Sequence, residues 1–430
     1  MITERGDAGV EEAQVIVVGA GPAGSAAAVY LARAGLDVLL LEKSGFPREK
    51  VCGDGLTPRS VHQLVRLGVD VNAPGWMRSK GMRWVCEGNT VELEWPRLGS
   101  LPDFGLTRTR HDFDDLLAGH ARAAGARLRT HVKVTAPLTD RAGHVTGVTA
   151  VRGPDEEPVR YLAPLVVAAD GASARTALAL GLDRDASRPV AAAARRYYRS
   201  EARTNDPYLE LWADLRCPGS GLDLPGYGWV FPLGDGRVNV GLGALPQQRR
   251  RRPLDLRATL DLWLSRTPED WGLREENADS PLRSAPLPMG LNRRPQYRKG
   301  LVLVGDSAGM VSPWSGEGIA QAMESAETAA EIIALALARP AGPRREHALL
   351  QYPSEIRRRW GRYYRLGNLA GDLFFSRYGF RPVLHPRVMA SPQLMRTLSR
   401  LLIHVGDEPA RDGVDAVLQT LLRLVPRPNR

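Results

Sequence analysis

The chain has 430 residues, more than one hydrophobic core organises, so two domains are expected. Apolar residues at 43% and charged residues at 25% exclude a disordered chain, and no run approaches the ~20 apolar residues of a membrane-spanning helix. The net charge of +10 is mostly arginine, spread along the chain without a nucleic-acid motif. No nucleic-acid partner is therefore expected, and the arginine run 249–252 reads as a solvated loop.

The first ten residues read as a loose tail. Residues 14–18 then predict a buried strand, 22–34 a helix and 37–42 a second strand, which together make a βαβ unit. The apolar stretch 15–31 contains Gly19, Gly21, Pro22 and Gly24 and lacks a basic leader, so it is not expected to be a signal sequence. Gly19-Ala20-Gly21-Pro22-Ala23-Gly24 joins strand to helix. Gly19 suits the tight turn, Gly21 the approach of backbone to a pyrophosphate, and Gly24 close helix packing. Pro22 and Ala23 open a helix whose unpaired N–H groups face an anion. Glu42 ends the next strand, placed to accept hydrogen bonds from ribose hydroxyls. An acidic residue there favours FAD or NAD over NADP.

Three cysteines, Cys52, Cys86 and Cys217, show no metal-ligand spacing; they predict no disulfide framework, no metal site and a reducing cytoplasm. Residues 165–169 and 300–305 read as later strands of the same parallel sheet. Each ends in a carboxylate: Asp170-Gly171 after the first, Gly305-Asp306 after the second. Ligands bind at strand C-termini in such sheets, and Asp306 suits a polyol, which the ribityl chain of FAD has and NAD lacks. Between them, 191–244 predicts an inserted antiparallel sheet. There Tyr227, Trp229 and Phe231 alternate, which puts their rings on one face, suited to an apolar tunnel or to core packing. Trp84 and Trp95 read as ordinary sheet residues. Segment 317–337 is an alanine-rich helix, and from about 347 a helical appendix follows, with amphipathic stretches 393–405 and 414–425 suited to core packing or to a membrane-facing lid.

Together, these elements resemble the FAD-binding domain of aromatic hydroxylases, a resemblance that extends to Arg110 in Arg110-His111-Asp112-Phe113-Asp114. Two longer segments, 46–58 (Phe-Pro-Arg-Glu-Lys-Val-Cys-Gly-Asp-Gly-Leu-Thr-Pro) and 224–232 (Leu-Pro-Gly-Tyr-Gly-Trp-Val-Phe-Pro), narrow it. They resemble signatures of the geranylgeranyl reductase family of FAD-dependent oxidoreductases, most closely its bacterial, menaquinone-reducing branch. The resemblance implies an α/β fold: a Rossmann-like FAD-binding domain (1–81, 106–186 and 283–345), an inserted antiparallel substrate domain (82–105 and 187–282) and a C-terminal helical region (346–430). It implies further FAD contacts at Lys43, Cys52, Gly53, Val134, Pro313, Gly316 and Gly318.

The implied reaction is reduction of an isoprenoid C=C bond by hydride from reduced FAD, with NADPH or NADH as transient electron donor. Cys52, Tyr227, Trp229 and Trp314 are the candidate catalytic residues. Cys52 reads as a proton donor or latch, or as an inert thiol; Tyr227 or an ordered water is the other candidate acid. An apolar or lipid substrate would draw the protein to the inner face of a membrane, leaving it cytoplasmic and peripheral. Oligomeric state is not legible. The loop Ser312-Pro313-Trp314-Ser315-Gly316-Glu317-Gly318 departs from the family's Asn-Pro-Phe-Asn-Gly-Glu-Gly, and Gln321 replaces a Tyr. That departure keeps a second enzyme class open, a flavin monooxygenase acting on an apolar aromatic or terpenoid metabolite. A halogenase, whose Trp-x-Trp-x-Ile-Pro is missing, and a non-catalytic quinone carrier are weaker alternatives.

Overall fold

The computed structural model describes residues 10–245, 254–371, 384–404 and 413–424. The run 249–252, residues 1–9 of the expected tail, and positions 405 and 425 lie outside the described residues.

Three short, wholly apolar strands, Val15–Val18, Val38–Leu41 and Leu165–Ala168, are buried at every position, as strands covered on both faces must be. They form the middle of a six-stranded sheet ordered Tyr297–Arg298, Leu301–Leu303, Leu165–Ala168, Val15–Val18, Val38–Leu41, Arg127–Arg129. All its pairs are parallel except the first. The register sets Val18 beside both Leu41 and Ala168, and Ala168 beside Leu303. The residues that follow each strand, Gly19, Glu42, Asp170 and Asp306, are thereby delivered to one edge of the sheet. Helix Pro22–Arg33 packs on helix Ile319–Leu337 through alanine-rich faces. The latter begins at Ile319 and not at the expected 317, because Gly318 is its N-cap.

The inserted sheet has seven strands, ordered Arg283–Pro288, Val190–Arg199, Arg237–Ala244, Gly226–Pro232, Tyr208–Trp212, Gly81–Cys86, Asn89–Glu94. It is antiparallel except where Tyr208–Trp212 runs parallel to Gly81–Cys86. Arg283–Pro288 pairs with Val190–Arg199 along its length, so this sheet extends to Pro288, beyond the boundary expected at 282. A long-range pairing of this kind leaves no local trace in a segment containing two prolines. A four-stranded sheet, Val10–Glu12, Glu157–Leu162, Val145–Arg152, Val132–Thr139, was not foreseen. Val10 belongs to it and not to a tail: its strand runs parallel to Glu157–Leu162, and Glu11 pairs with Arg127 and Arg129.

The C-terminal region is helical over Gln351–Ala370, Pro386–Met389, Pro392–Ile403 and Gly413–Leu424. Tyr363 fastens it to the rest: its hydroxyl lies 3.0 Å from Ser312 Oγ and donates to the Leu402 carbonyl at 3.1 Å, and its ring stacks on His404 at 3.8 Å. Among the described residues no helix is long and apolar enough to cross a membrane.

Candidate active site

A cavity of about 450 Å³ lies between the carboxyl edge of the parallel sheet and one face of the inserted sheet. Its two sides differ in chemistry. Every charged residue in its lining comes from outside the inserted sheet, whereas the sheet and its adjoining loops contribute only apolar groups, glycine and the Tyr227 phenol.

On the charged side, Gly19 turns with φ +97°, and a Cβ there would stand 2.5 Å from the Ala169 carbonyl oxygen. Helix Pro22–Arg33 has neither a side-chain cap nor an acidic residue in its first turn, so its N–H groups remain available to an anion. Gly21 is the N-cap of that helix, in extended backbone. A Cβ on it would point toward two guanidinium groups, 3.7 Å from Arg48 and 3.9 Å from Arg110. Both arginines are fixed in place. Arg110 donates twice to Asp114, at 2.6 and 2.8 Å, and Arg48 bridges Asp114 at 3.0 Å and Glu42 at 3.5 Å. Glu42 also accepts from the Ala20 and Ser44 N–H groups, which ties the glycine loop to the end of the second strand.

The two strand-end aspartates do different work. Asp170 commits both oxygens to protein, accepting from Ser307 Oγ at 2.9 Å and from the Thr176 N–H and hydroxyl at 2.9 and 3.0 Å. It fastens the two strand-end turns together. No described protein group hydrogen-bonds the Asp306 carboxylate, which lines the cavity beside Gly318. Burial pushes its pKa up, opposed by the charges of Lys50 and Arg110, while burial pushes Lys50 down against the pull of Asp306. An open acceptor in the field of two cations fits the ribityl hydroxyls expected there.

Lys43, Gly53, Val134 and Gly171 line the same cavity, as do Pro313, Gly316 and Gly318. Pro22 and Ala23 also face it at the mouth of the first helix. Gly24 and Gly305 lie behind its wall and serve packing: a Cβ on Gly24 would meet Gly19 O, and one on Gly305 would meet Ala23 and Ala322.

On the apolar side, Tyr227, Trp229 and Phe231 present their rings to the cavity, and the room in front of them comes from small neighbours. Gly243 registers with both Ala193 and Tyr227, and Gly241 faces Trp229. Trp229 Nε1 donates to Asn239 Oδ1 at 2.9 Å. Asn239 in turn donates to the Cys52 carbonyl and to Asp54 Oδ2, both at 2.8 Å. Asp54 also accepts from the Tyr197 hydroxyl at 2.6 Å and the Arg110 N–H at 3.2 Å, and burial lifts its carboxyl to about 6. This residue joins the cavity floor to the sheet. Trp95, expected to be an ordinary sheet residue, follows the edge strand and lines the cavity; Trp84 is buried within its strand.

The candidate acids are constrained. The Cys52 thiol accepts from the Asp54 N–H at 3.4 Å, and burial pushes its pKa up despite Arg110. The Tyr227 hydroxyl donates to the Ser315 carbonyl, and burial likewise raises the phenol. Trp314 lines the cavity, but its ring is anchored to the C-terminal helix, with Nε1 donating to the Tyr363 carbonyl at 3.3 Å. Gln321 is fully buried off the cavity, and its amide has no partner among the described residues. Sequence reasoning missed Arg48, Lys50, Asp54, Asn239 and Glu317. The first three sit inside the 46–58 segment it had already singled out.

The glycine turn, the uncapped helix, the paired guanidinium groups and the open Asp306 fit FAD. The family described as FAD binding domain matches residues 12–364. The chain is 38% identical to a menaquinone reductase of Mycobacterium tuberculosis over 97% of this chain and 98% of that one. It is 32% identical to a digeranylgeranylglycerophospholipid reductase of Methanocella arvoryzae over 82% and 84%. Its fold is similar to a geranylgeranyl bacteriochlorophyll reductase-like protein of Thermoplasma acidophilum, with TM-score 0.77, 23% identity, and 96% and 100% of the two chains covered. With this cradle and these relatives, the chain belongs to the FAD-binding-domain flavoproteins and, among them, to the geranylgeranyl reductase family of FAD-dependent oxidoreductases.

Proposed function

We propose that this oxidoreductase reduces a C=C bond in an isoprenoid chain of a menaquinone-like or other prenyl lipid. The observation that carries the reading is the lining of the cavity: the inserted sheet offers a prenyl chain a wall without a single charged side chain, directly opposite the FAD cradle. Bound FAD supplies the hydride, with NADPH or NADH as the proposed electron donor. The protein's part is to anchor the cofactor through Arg48, Arg110 and Asp306, to orient the chain along Ala193, Gly243 and Trp229, and to exclude water.

The test is anaerobic incubation of the reduced flavoprotein with an unsaturated menaquinone, followed by mass spectrometry. The expected product is heavier by about two mass units per double bond, the two hydrogens of flavin-dependent reduction. An unchanged lipid in the anaerobic sample, with a gain of about sixteen when the incubation is repeated in air, the signature of a flavin monooxygenase, overturns the reading. The loop that kept oxygenation open is held against the C-terminal helix through Trp314, so its altered residue serves packing as well as the cavity.

Tyr227→Phe separates a strap from a proton donor. The phenol already donates to Ser315, so the variant is expected to lose about 1–2 kcal/mol of stability, the cost of an orphaned carbonyl. Prenyl reduction is expected to stay within about tenfold of wild type, short of the ~100-fold or greater loss of a missing general acid. Denaturant titration and turnover assays on the same preparation check both.

The proposed lipid partner accounts for the last helices. Ile403 lines the cavity at the end of Pro392–Ile403, a helix that also exposes Leu394 and carries Arg396 and Arg400. Leu424, at the end of Gly413–Leu424, is 75% exposed next to Arg423. Apolar side chains flanked by arginine suit peripheral contact with an anionic membrane.

A further inference from the structure

An isolated alkene accepts hydride only as a proton reaches its other carbon, and the functional reading leaves that proton without a source. Several groups near the cavity can be ranked. Asp54 is enclosed by three donors, and Asp170 is fully engaged. The Tyr227 proton is committed to Ser315. Cys52 is a thiol made less acidic by burial. Asp306, in the field of Lys50 and Arg110, suits a hydroxyl acceptor.

Glu317 is different. It lines the cavity beside Gly316, close enough to the aromatic wall for its charge to act on the Tyr227 phenol. Its Oε1 accepts from Thr57 Oγ1 at 2.5 Å and Ser60 Oγ at 3.3 Å, two hydroxyls that fix the carboxyl in place. Its Oε2 is buried and has no hydrogen-bond partner among the described residues. Arg59, whose charge pulls its pKa down, makes no ion pair with it among the described residues and is matched instead by Glu324 through two hydrogen bonds, at 3.0 and 2.5 Å. The other titratable groups facing it, Tyr227, Tyr363 and Tyr364, add no positive charge.

We propose that Glu317 is the catalytic acid that protonates the prenyl double bond. The assignment rests on the prenyl-reduction reading. One alkene carbon receives the hydride; the other takes the carboxyl proton, its new C–H bond formed by the π pair. Glu317 is left as a carboxylate, stabilised by Thr57 and Ser60, and regains a proton from water. Burial holds its carboxyl at about 7, against the pull of Thr57 and Arg59, so the acid form is populated near neutrality and still strong enough to give its proton away.

The experiment uses the FAD-loaded full chain, dithionite as reductant and an unsaturated menaquinone as probe. In the wild type, prenyl reduction is expected to fall as pH rises through about 7, because the acid form is lost. Glu317→Gln keeps the shape and one acceptor but no transferable proton; its rate is expected to fall at least ~100-fold and its pH limb to vanish. Infrared difference spectra should show a protonated carboxyl band, present at about pH 6 and lost by about pH 8, that is missing from this variant. A Glu317→Gln protein with retained FAD, a rate within about threefold of wild type and an intact limb overturns the assignment alone. A wild type that reduces no prenyl chain overturns the functional reading and this assignment together. Should Glu317→Gln lose FAD, Thr57→Val decides. Thr57 makes no side-chain bond to cap its own helix, so the change removes only a donor to Glu317. An upward move of the limb supports the proposal, and an unmoved limb overturns it.

Discussion

Gly24→Ala is expected to yield a protein that purifies without flavin absorbance and rebinds FAD at least ~100-fold more weakly, a change of about 3 kcal/mol. The added Cβ would stand 1.7 Å from the Gly19 carbonyl oxygen and 2.9 Å from its carbon. These are backbone atoms of the turn that must hold the diphosphate, and no rotamer relieves the overlap. Either the helix withdraws from the sheet or the turn opens, and both move the N–H groups on which the cradle depends. Overpacking at such a point costs about 1–3 kcal/mol of stability, and more where backbone must yield. Gly119→Ala is the control. That glycine is exposed in helix Arg110–Ala123 with nothing within 4 Å of its Cβ position, so alanine there is expected to add about 0.5–1 kcal/mol and leave FAD binding untouched. Flavin absorbance, FAD titration and denaturant midpoints on the two variants make the comparison.

The same glycine shows what the sequence made readable. Turn, helix start and acidic strand end lie within about thirty residues of one another, and each residue type has a local steric or electrostatic reason, as the Rossmann fingerprint requires. Asp306 was readable for a related reason, since an apolar run ending in Gly-Asp signals a strand terminus. What escaped was tertiary. Asp170 and Asp306 look alike as strand-end carboxylates, yet only the fold brings Ser307 and Thr176 to Asp170 and leaves Asp306 open. Arg48 and Arg110 flank Gly21 only because Asp114 gathers both. Glu317 carries no local sign of function either: its properties arise from hydroxyls at the start of another helix and from an arginine already claimed by Glu324. The inserted sheet was legible as alternating aromatics, but its outermost strand, Arg283–Pro288, was hidden by prolines that an edge position tolerates.

Asp54 carries the second large effect, and it separates two variants that look similar. All three of its partners are donors: the Arg110 N–H, the Tyr197 hydroxyl and the Asn239 amide. Asp54→Ala orphans them together in a buried site, at about 1–3 kcal/mol each, and removes a residue able to tolerate its φ of +64°. A loss of roughly 4–6 kcal/mol is expected, with release of FAD as Arg110 and the 52–55 turn lose their anchor. Asp54→Asn behaves differently. Asparagine also tolerates positive φ, and its Oδ1 can keep Tyr197 and Asn239 while its NH₂ meets the Arg110 N–H, the weakest of the three contacts. It also leaves no charge to bury. Since burial lifts the folded carboxyl from 3.8 to about 6, the fold binds this proton more tightly than the unfolded chain does. The stability linked to that proton is complete below about 4 and is lost as pH rises through about 6, by about 1.4 kcal/mol for each pH unit crossed in that window. Denaturant midpoints followed by tryptophan fluorescence should therefore decline between about pH 4 and pH 6 in the wild type, and lack that component in Asp54→Asn. At about pH 8 the lost charge burial offsets the one strained contact, and Asp54→Asn is expected within about 1 kcal/mol of wild type. An Asp54→Asn protein as damaged as Asp54→Ala would mean that the ionised carboxylate, and not merely an acceptor at that point, holds the cavity floor to the sheet.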